Sequence, residues 1–201
     1  MTPAGPLPDL AAAAAALAGG AVVLLPTDTI PGLHARADDP AALARLAALK
    51  GRPSPKPLVV LAGSLAQVAV VAAPVDARMQ GFLARCWPGP FSVVLVARPE
   101  VTTAVTAGTG TVAVRVPALA WLRDLALAAG APLASTSANL AGEPPAGDFA
   151  EALARFAGRV ASFAGEGSAA TTGVGGPSAL VDLTTWPPRL LREGPQPLPT
   201  A

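Results

Sequence analysis

Short apolar runs alternate with helical patterns along the whole 201-residue chain. Residues 21–25 form a continuously apolar run, which is typical of a strand buried on both faces. Leu43, Leu46 and Leu49 recur three positions apart after Asp39, which predicts a helix with an aspartate N-cap. Loops rich in Gly and Pro separate these segments. The alternation predicts an α/β fold in which helices pack on the faces of a sheet.

The same patterns predict elements over most of the chain. Helices are predicted for residues 9–18, 40–49, 64–71, 75–85, 118–129 and 148–156. Strands are predicted for residues 21–25, 57–61, 91–97, 111–116, 133–136, 179–183 and 189–192. The length suits one domain with a sizeable core. We therefore expect a single domain over residues 1–194, followed by a Pro-rich tail at residues 195–201 that frays.

Composition excludes several classes of protein. The apolar fraction is 52%, but the longest apolar run is rich in alanine and is broken by Gly19 and Gly20, so we expect no membrane span. The first residues carry no basic region, and no signal peptide is predicted. Cys86 is the single cysteine, which excludes an internal disulfide and fits a cytoplasmic location.

Charge and metal-ligand content narrow the function further. One cysteine and one histidine, His34, cannot form a zinc cluster of the usual kind. Any metal would be a hard cation such as Mg²⁺, held by oxygen ligands and substrate phosphates, and we assign no metal-binding side chain. The net charge of +1 argues against a dedicated nucleic-acid binder, which needs many phosphate contacts. This charge is compatible with one local pocket for an anion.

The two lysines of the chain, Lys50 and Lys56, lie within seven residues of each other and flank Arg52. All other cationic side chains are arginines, in a sequence biased towards Ala, Gly, Pro and Arg. Lysines that persist under such a bias indicate positions where a compact ammonium is needed, for example against a phosphate. The segment predicts a site for a polyanion such as a nucleoside triphosphate. An ordinary solvated loop is the alternative interpretation.

Other polar residues cluster where predicted strands end. Thr29 follows the first strand, Arg115 closes another, and Ser178 and Arg192 lie in the last loops. The run Ser135-Thr136-Ser137-Ala138-Asn139 ends a further strand. Each alone is a common turn or cap residue, but as a set they indicate one site. There is no P-loop and no GxSxG sequence, and neither Cys86 nor His34 lies in a catalytic motif, so we assign them no function.

An ordered set of short motifs covers residues from about 20 to 194. The motifs are Pro26-Thr27-Asp28-Thr29, Lys50-Gly51-Arg52-Pro53, Trp87-Pro88-Gly89-Pro90, Val114-Arg115-Val116-Pro117, Ser137-Ala138-Asn139 and Val181-Asp182-Leu183. Each motif is weak alone, but their order resembles the YrdC/TsaC family of threonylcarbamoyl-AMP synthases, in its short single-domain form. The resemblance implies a twisted mixed sheet flanked by helices, with a concave basic nucleotide site in a catalytic domain over residues 1–194.

The resemblance also implies a reaction. Enzymes of this family condense L-threonine, bicarbonate and ATP to threonylcarbamoyl-adenylate and pyrophosphate, with Mg²⁺ accompanying ATP. Separate partner proteins then transfer the threonylcarbamoyl group to an adenosine of tRNA. The family resemblance therefore implies weak or no direct binding of tRNA by this chain.

By resemblance, the site residues fall into two groups. Lys50 and Arg52 are the expected catalytic residues. The expected ATP-binding residues are Lys50, Arg52, Lys56, Thr111, Ser137, Asn139 and Arg192. The expected threonine-binding residues are Thr29, Arg115, Ser135 and Ser178.

Three departures from the family pattern bear on the amino-acid pocket. Leu61 stands where many members have a histidine near threonine, Pro145 where they have a serine, and Pro31 where they have an aromatic residue. We expect one polar contact to threonine to be missing at Leu61. The alternatives are a paralogue without threonine adenylation, an RNA-binding module on the same surface, and a carbamoyl-transfer domain of the kind in hydrogenase maturation proteins. The single cysteine counts against the last of these.

Overall fold

The computed structural model describes residues 10–51, 56–164 and 176–200. Within these ranges, the helices are α1 Leu10–Ala18, α2 Pro40–Lys50, α3 Leu65–Val71, α4 Ala77–Cys86, α5 Thr103–Thr106, α6 Ala120–Ala128 and α7 Phe149–Phe156. The strands described are β1 Val23–Leu25, β2 Gly32–Arg36, β3 Val59–Leu61, β4 Phe91–Val96, β5 Thr111–Arg115, β6 Leu133–Ser137, β7 Ala161–Ser162, β8 Ala179–Asp182 and β9 Arg189–Arg192.

Local chemistry sets both ends of α2. Asp39 Oδ1 accepts hydrogen bonds from the backbone N–H groups of Ala41 and Ala42, and Pro40 occupies the first turn of α2. Gly51 ends this helix in the left-handed region, with φ of 60°. The helix predicted from Asp39 is confirmed, and it extends one residue further than expected, to include Lys50.

Strand β2 and strand β7 are elements that the sequence analysis did not predict. Strand β2, Gly32–Arg36, carries a glycine, a histidine and an arginine among five residues, so it lacks the apolar run that marks β1. It forms because it lies antiparallel between β1 and β6, which together satisfy its backbone hydrogen bonds. Tertiary pairing therefore determines this strand, and it brings His34 into the sheet.

The nine described strands form one sheet in the order β7-β1-β2-β6-β3-β5-β4-β8-β9. Strands β1 and β7, β3 and β5, and β4 and β8 pair in parallel, and the remaining neighbours are antiparallel. The predicted mixed sheet is confirmed. Several neighbours in the sheet, such as β2 and β6 or β4 and β8, are distant in sequence, so long-range pairing decides which strand ends lie together.

Each face of the sheet has its own hydrophobic cluster. The larger cluster packs Leu33, Val60 and Val114 against helices α2, α3, α4 and α7. The smaller cluster packs Leu61 and Leu133 against α1 and α6. Helices α1 and α6 lie over only part of this second face. Polar side chains project from the same face beyond them, and the candidate site lies there.

The C-terminal segment also contacts the body of the protein. Leu198 packs against the larger cluster, and Arg85 Nη2 donates a hydrogen bond to the carbonyl oxygen of Thr200 at 3.0 Å. Two residues of the predicted tail, Leu198 and Thr200, therefore contact the rest of the domain. None of the helices in the described ranges combines the length and apolar character needed to cross a membrane.

Candidate functional site

Sheet register brings the predicted polar residues to one face. His34 pairs with Ser135 across β2 and β6, and Ser135 pairs with Val59 of β3. Leu61 of β3 pairs in turn with Arg115 of β5. Because residues paired across neighbouring strands point to the same side, these side chains share the face that α1 and α6 partly cover.

A cavity of about 300 Å³ opens on this face. Its described lining includes three cationic side chains, Lys56, Arg115 and Arg192, and no acidic one. Hydroxyl groups make up most of the remaining polar lining, from Thr27, Thr29, Ser135, Thr136, Ser137 and Ser178. Such a lining suits a ligand with several anionic oxygens, since hydroxyls and cations both donate hydrogen bonds to oxygen.

Arg115, the last residue of β5, is the most constrained cation of the cavity. Its side chain is 4% exposed, Nη1 donates to Thr29 Oγ1 at 2.7 Å, and Nη2 lies 3.5 Å from Asp28 Oδ1. Burial lowers the pKa of Arg115, and the Asp28 carboxylate raises it again. Arginine retains its proton under such conditions, so a fixed positive charge faces the cavity.

The loop after β1 holds this arginine in place. Asp28 Oδ2 accepts a hydrogen bond from the backbone N–H of Ala118, just before α6, at 2.8 Å. Thr27 Oγ1 accepts from the backbone N–H of Thr29 and donates to the carbonyl oxygen of Ile30. These bonds orient Thr29 towards Arg115. Thr27 and Asp28 are site residues that the sequence analysis quoted within a motif without giving them a role.

Ser178 and Arg192 form another part of the cavity lining. Arg192 Nη2 and Nε donate to the carbonyl oxygen of Ser178 at 2.8 and 3.2 Å. Ser178 Oγ lies 2.8 Å from Ser92 Oγ of β4. Burial lowers the pKa of Arg192. The pairing of β8 with β9 thus brings together two residues that are predicted to bind different substrates.

Lys50 has a different environment from the one expected of a loop residue. Its side chain is 1% exposed, and Nζ donates to the carbonyl oxygen of Ser137 at 2.6 Å and to Asn139 Oδ1 at 2.7 Å. Lys50 is therefore not part of a solvated loop, the alternative interpretation of its segment, because it ends α2 and holds the loop after β6 from behind. Lys56, in contrast, is exposed and lines the cavity.

The remaining predicted ATP residues are dispersed. Asn139 is buried, and its Nδ2 donates to the carbonyl oxygens of Leu140 and Glu143, so it shapes the loop. Thr111 begins β5, at the opposite end from Arg115, and is not part of the described cavity lining. Arg52 lies outside the described residues. Seven predicted residues do line the cavity: Thr29, Lys56, Arg115, Ser135, Ser137, Ser178 and Arg192.

His34 is a buried residue of this region that the sequence analysis set aside. It is 0% exposed, and Nε2 lies 3.1 Å from Ser135 Oγ. Burial, with a smaller effect of Arg115, lowers the pKa of His34 to about 3, so the ring is neutral at pH 7. No motif marked this histidine. Its relevance comes from the pairing of β2 with β6, which is visible only in the folded chain.

The departures at Pro31, Leu61 and Pro145 fall in two places. Pro31 and Pro145 line the cavity. Leu61 is fully buried in the smaller cluster, beneath α1 and α6, and is not among the described lining residues. The polar contact expected to be missing at Leu61 therefore does not border this cavity. In the described ranges, no three His, Cys, Asp or Glu side chains come together as a metal site.

Residues 15–194 match the family model of the Sua5/YciO/YrdC domain, whose description is "Telomere recombination". The chain belongs to the Sua5/YciO/YrdC family. It is 36% identical over 179 residues to the threonylcarbamoyl-AMP synthase of Pyrococcus abyssi, covering 89% of this chain and 52% of that protein. It is 39% identical over 174 residues to the threonylcarbamoyl-AMP synthase of Chromohalobacter salexigens, covering 87% and 92%. The chain thus spans about half the length of the first relative and most of the second.

A solved structure agrees with the fold. The crystal structure of Pyrococcus abyssi Sua5 complexed with L-threonine superimposes with a TM-score of 0.84 at 35% identity. The superposition covers 92% of this chain and 54% of that one. The predicted α/β domain with a mixed sheet is therefore confirmed.

Proposed function

We propose that this chain is a threonylcarbamoyl-AMP synthase, which condenses L-threonine, bicarbonate and ATP to threonylcarbamoyl-adenylate and pyrophosphate. The observation that carries the proposal is the buried Arg115, joined to Thr29 and Asp28, at a cavity lined by cations and hydroxyls. The names of the two relatives and the L-threonine complex of the Pyrococcus protein support it.

The amino acid occupies the Arg115 end of the cavity in this proposal. A planar guanidinium pairs with a carboxylate through parallel hydrogen bonds, so Arg115 binds the threonine carboxylate. The hydroxyls of Thr29, Ser135 and Ser178 line the same cavity and contact the other polar atoms of the amino acid, including the carboxylate oxygens that Arg115 leaves free. Binding the amino acid at three polar points fixes its amine for reaction with bicarbonate.

The triphosphate lies towards Lys56, Ser137 and Arg192. These side chains line the cavity and donate to phosphate oxygens. Lys50 and Asn139 act from behind, by holding the Ser137 loop in shape. The predicted contacts of Thr111 and Arg52 with ATP, and the catalytic role of Arg52, belong to the same proposal, in which Lys50 serves the reaction by positioning the Ser137 loop.

The chemistry needs no protein nucleophile. The threonine amine adds to bicarbonate, which gives a carbamate and releases water. A carbamate oxygen then attacks the α-phosphorus of ATP, and the bond from that phosphorus to the bridging oxygen breaks, so pyrophosphate leaves with the electron pair. Cationic groups such as Lys56 and Arg192 offset the negative charge that develops on pyrophosphate, which is the main contribution this site can make.

Magnesium accompanies ATP in this proposal. The described cavity lining offers no carboxylate, so the protein side chains do not fit a magnesium site of their own. Mg²⁺ would be held by the triphosphate and water, its usual arrangement in nucleotide sites. Separate proteins would transfer the threonylcarbamoyl group to tRNA, and the cytoplasmic location inferred from the single cysteine remains a prediction.

Adenylate formation by the purified chain tests the proposal. The protein is incubated with ATP, bicarbonate and isotope-labelled L-threonine, and products are separated by chromatography. We expect a labelled adenylate that requires all three substrates, with one pyrophosphate released for each adenylate. Pyrophosphate release that does not depend on threonine would contradict the proposal and indicate a paralogue.

A further inference from the structure

His34 has no role in the reaction described above, although it contacts Ser135, which is proposed to bind the amino acid. His34 is the single histidine of the chain, is fully buried in β2, and lies with Nε2 3.1 Å from Ser135 Oγ. Its ring packs under Gly32, where an added Cβ would lie 2.7 Å from His34 Cε1. The ring is therefore held in one place, directly behind a hydroxyl that lines the cavity.

The surroundings of the ring decide which nitrogen carries the proton. A neutral imidazole has one N–H donor and one bare acceptor nitrogen. In the described part of the chain, Nε2 lies 3.1 Å from Ser135 Oγ, whereas the buried Nδ1 has no well-aligned partner, and the Gly32 carbonyl beside the ring is a weaker acceptor. A buried N–H without an acceptor is rarer in proteins than an unused acceptor. The proton therefore belongs on Nε2.

This assignment fixes the direction of the Ser135 hydroxyl. A serine hydroxyl has one proton to donate, and it accepts through its lone pairs. When His34 Nε2–H donates to Ser135 Oγ, the serine proton is free to donate elsewhere. In the described part of the chain, His34 is the one side-chain partner of this hydroxyl. The described cavity lining contains no carboxylate that would take the proton.

We propose that His34 is a positioning residue, which donates from Nε2 to Ser135 Oγ and directs the Ser135 proton to an anionic oxygen of the ligand. Under the proposed function, the acceptor is the carboxylate of the amino acid, beside Arg115. Only this identification of the acceptor rests on the proposed function. The opposite tautomer would leave Ser135 as an acceptor, which would repel a carboxylate.

Nitrogen NMR of the ligand-free protein tests the tautomer. Because the chain has a single histidine, its two ring nitrogens give one unambiguous pair of signals. We expect a neutral ring at pH 7 with the proton on Nε2, and a shift of the Nε2 signal in Ser135→Ala. A proton on Nδ1, or a ring protonated on both nitrogens at pH 7, would overturn the proposal.

A double-mutant cycle tests the consequence for binding. His34→Leu should weaken L-threonine binding about tenfold, the expected loss for one oriented hydrogen bond, with little change for ATP. In a Ser135→Ala background, the same change should have no further effect. His34→Gln, which offers an amide N–H, should recover part of the affinity. If the affinity losses of His34→Leu and Ser135→Ala multiply in the double variant, or if L-threonine and ATP lose affinity equally, the role of His34 is merely structural.

The two tests separate this inference from the proposed function. A wild-type chain that binds no L-threonine would contradict the proposed function. The ring-nitrogen spectra would still decide whether His34 donates to Ser135, because they need no ligand.

Discussion

Lys50 and Lys56 lie close in sequence, but their environments are opposite. Lys50 is buried, with its ammonium against the carbonyl oxygens of the Ser137 backbone and the Asn139 side chain, and Lys56 is exposed at the cavity. Composition predicted that both bind an anion, because both are lysines in an arginine-rich chain. Burial separates their effects, since the buried Lys50 ammonium is committed to acceptors within the protein, while the exposed Lys56 ammonium is available to a ligand.

We expect Lys50→Ala to lower the free energy of unfolding by about 3 kcal/mol. The substitution leaves a cavity, and it leaves the acceptors Ser137 O and Asn139 Oδ1 without the Lys50 donor. Both effects destabilise the folded state. Urea denaturation measures the change. Lys56→Ala is the matched control and should stay within about 0.5 kcal/mol of wild type. Equal stability of the two variants would contradict this account of Lys50.

His34 predicts a pH dependence of stability. Its pKa is about 3 in the folded protein against an ordinary value of 6.5, so between these values the unfolded chain binds a proton that the folded chain does not. The contribution of neutral His34 to the free energy of unfolding is complete above pH 6.5. As the pH falls below this value, it decreases by about 1.4 kcal/mol per pH unit. Denaturation at pH 6.5 and 5 should differ by about 2 kcal/mol. His34→Gln should remove most of this difference, and an unchanged difference would exclude His34 as its source.

A substitution at Arg115 should change the Michaelis constant for threonine much more than the constant for ATP. Arg115→Lys keeps a positive charge but loses the planar fork, so the Michaelis constant for threonine should rise by about a hundredfold. The constant for ATP should change far less. Arg189→Lys, at an exposed position of β9, is the control and should leave both constants unchanged. Parallel increases for both substrates would place Arg115 outside the amino-acid end of the cavity.

At the level of elements, apolar patterning predicted most helices and strands, while pairing determined the site. Strand β1 follows from its apolar run, and α2 from its leucine spacing and Asp39 cap. Strand β2 has no such pattern and exists through its neighbours. Polar residues at strand ends identified Ser135 and Arg115 as candidates. Their partners, His34 and Thr29, lie 101 and 86 residues away in sequence, so no local signal could assign these contacts.

Two Gly→Ala substitutions in different elements should have opposite effects. At Gly32 of β2, a Cβ would lie 2.7 Å from His34 Cε1 and 3.1 Å from the Thr136 carbonyl oxygen, so Gly32→Ala should destabilise by about 2 kcal/mol. At Gly81 of α4, the nearest atom is 4.0 Å away, so Gly81→Ala should stabilise by about 0.5–1 kcal/mol. Thermal and urea denaturation measure both. Equal effects would show that space around Gly32 is not limiting.

At the scale of the whole molecule, charged residues are few, and three of the cationic ones line the same cavity. The net charge is +1, and three cationic side chains line one described cavity. A surface that binds RNA without a small-molecule site needs cations spread along the path of the strand, and it usually adds exposed aromatic residues for stacking. Aromatic residues make up 4% of this chain, and the cavity lining described here contains none.

This distribution predicts weak, shallowly salt-dependent binding of tRNA. If Lys56, Arg115 and Arg192 are the cations that meet phosphate, about three counterions are released, and the slope of log K against log salt for a single strand is about −2. Filter binding across a salt series measures the slope, and ATP should compete because it occupies two of these cations, Lys56 and Arg192. Lys56→Ala should weaken ATP and tRNA binding together. Tight tRNA binding at physiological salt that ATP does not displace would require a second basic surface and would favour the RNA-binding alternative over the enzyme.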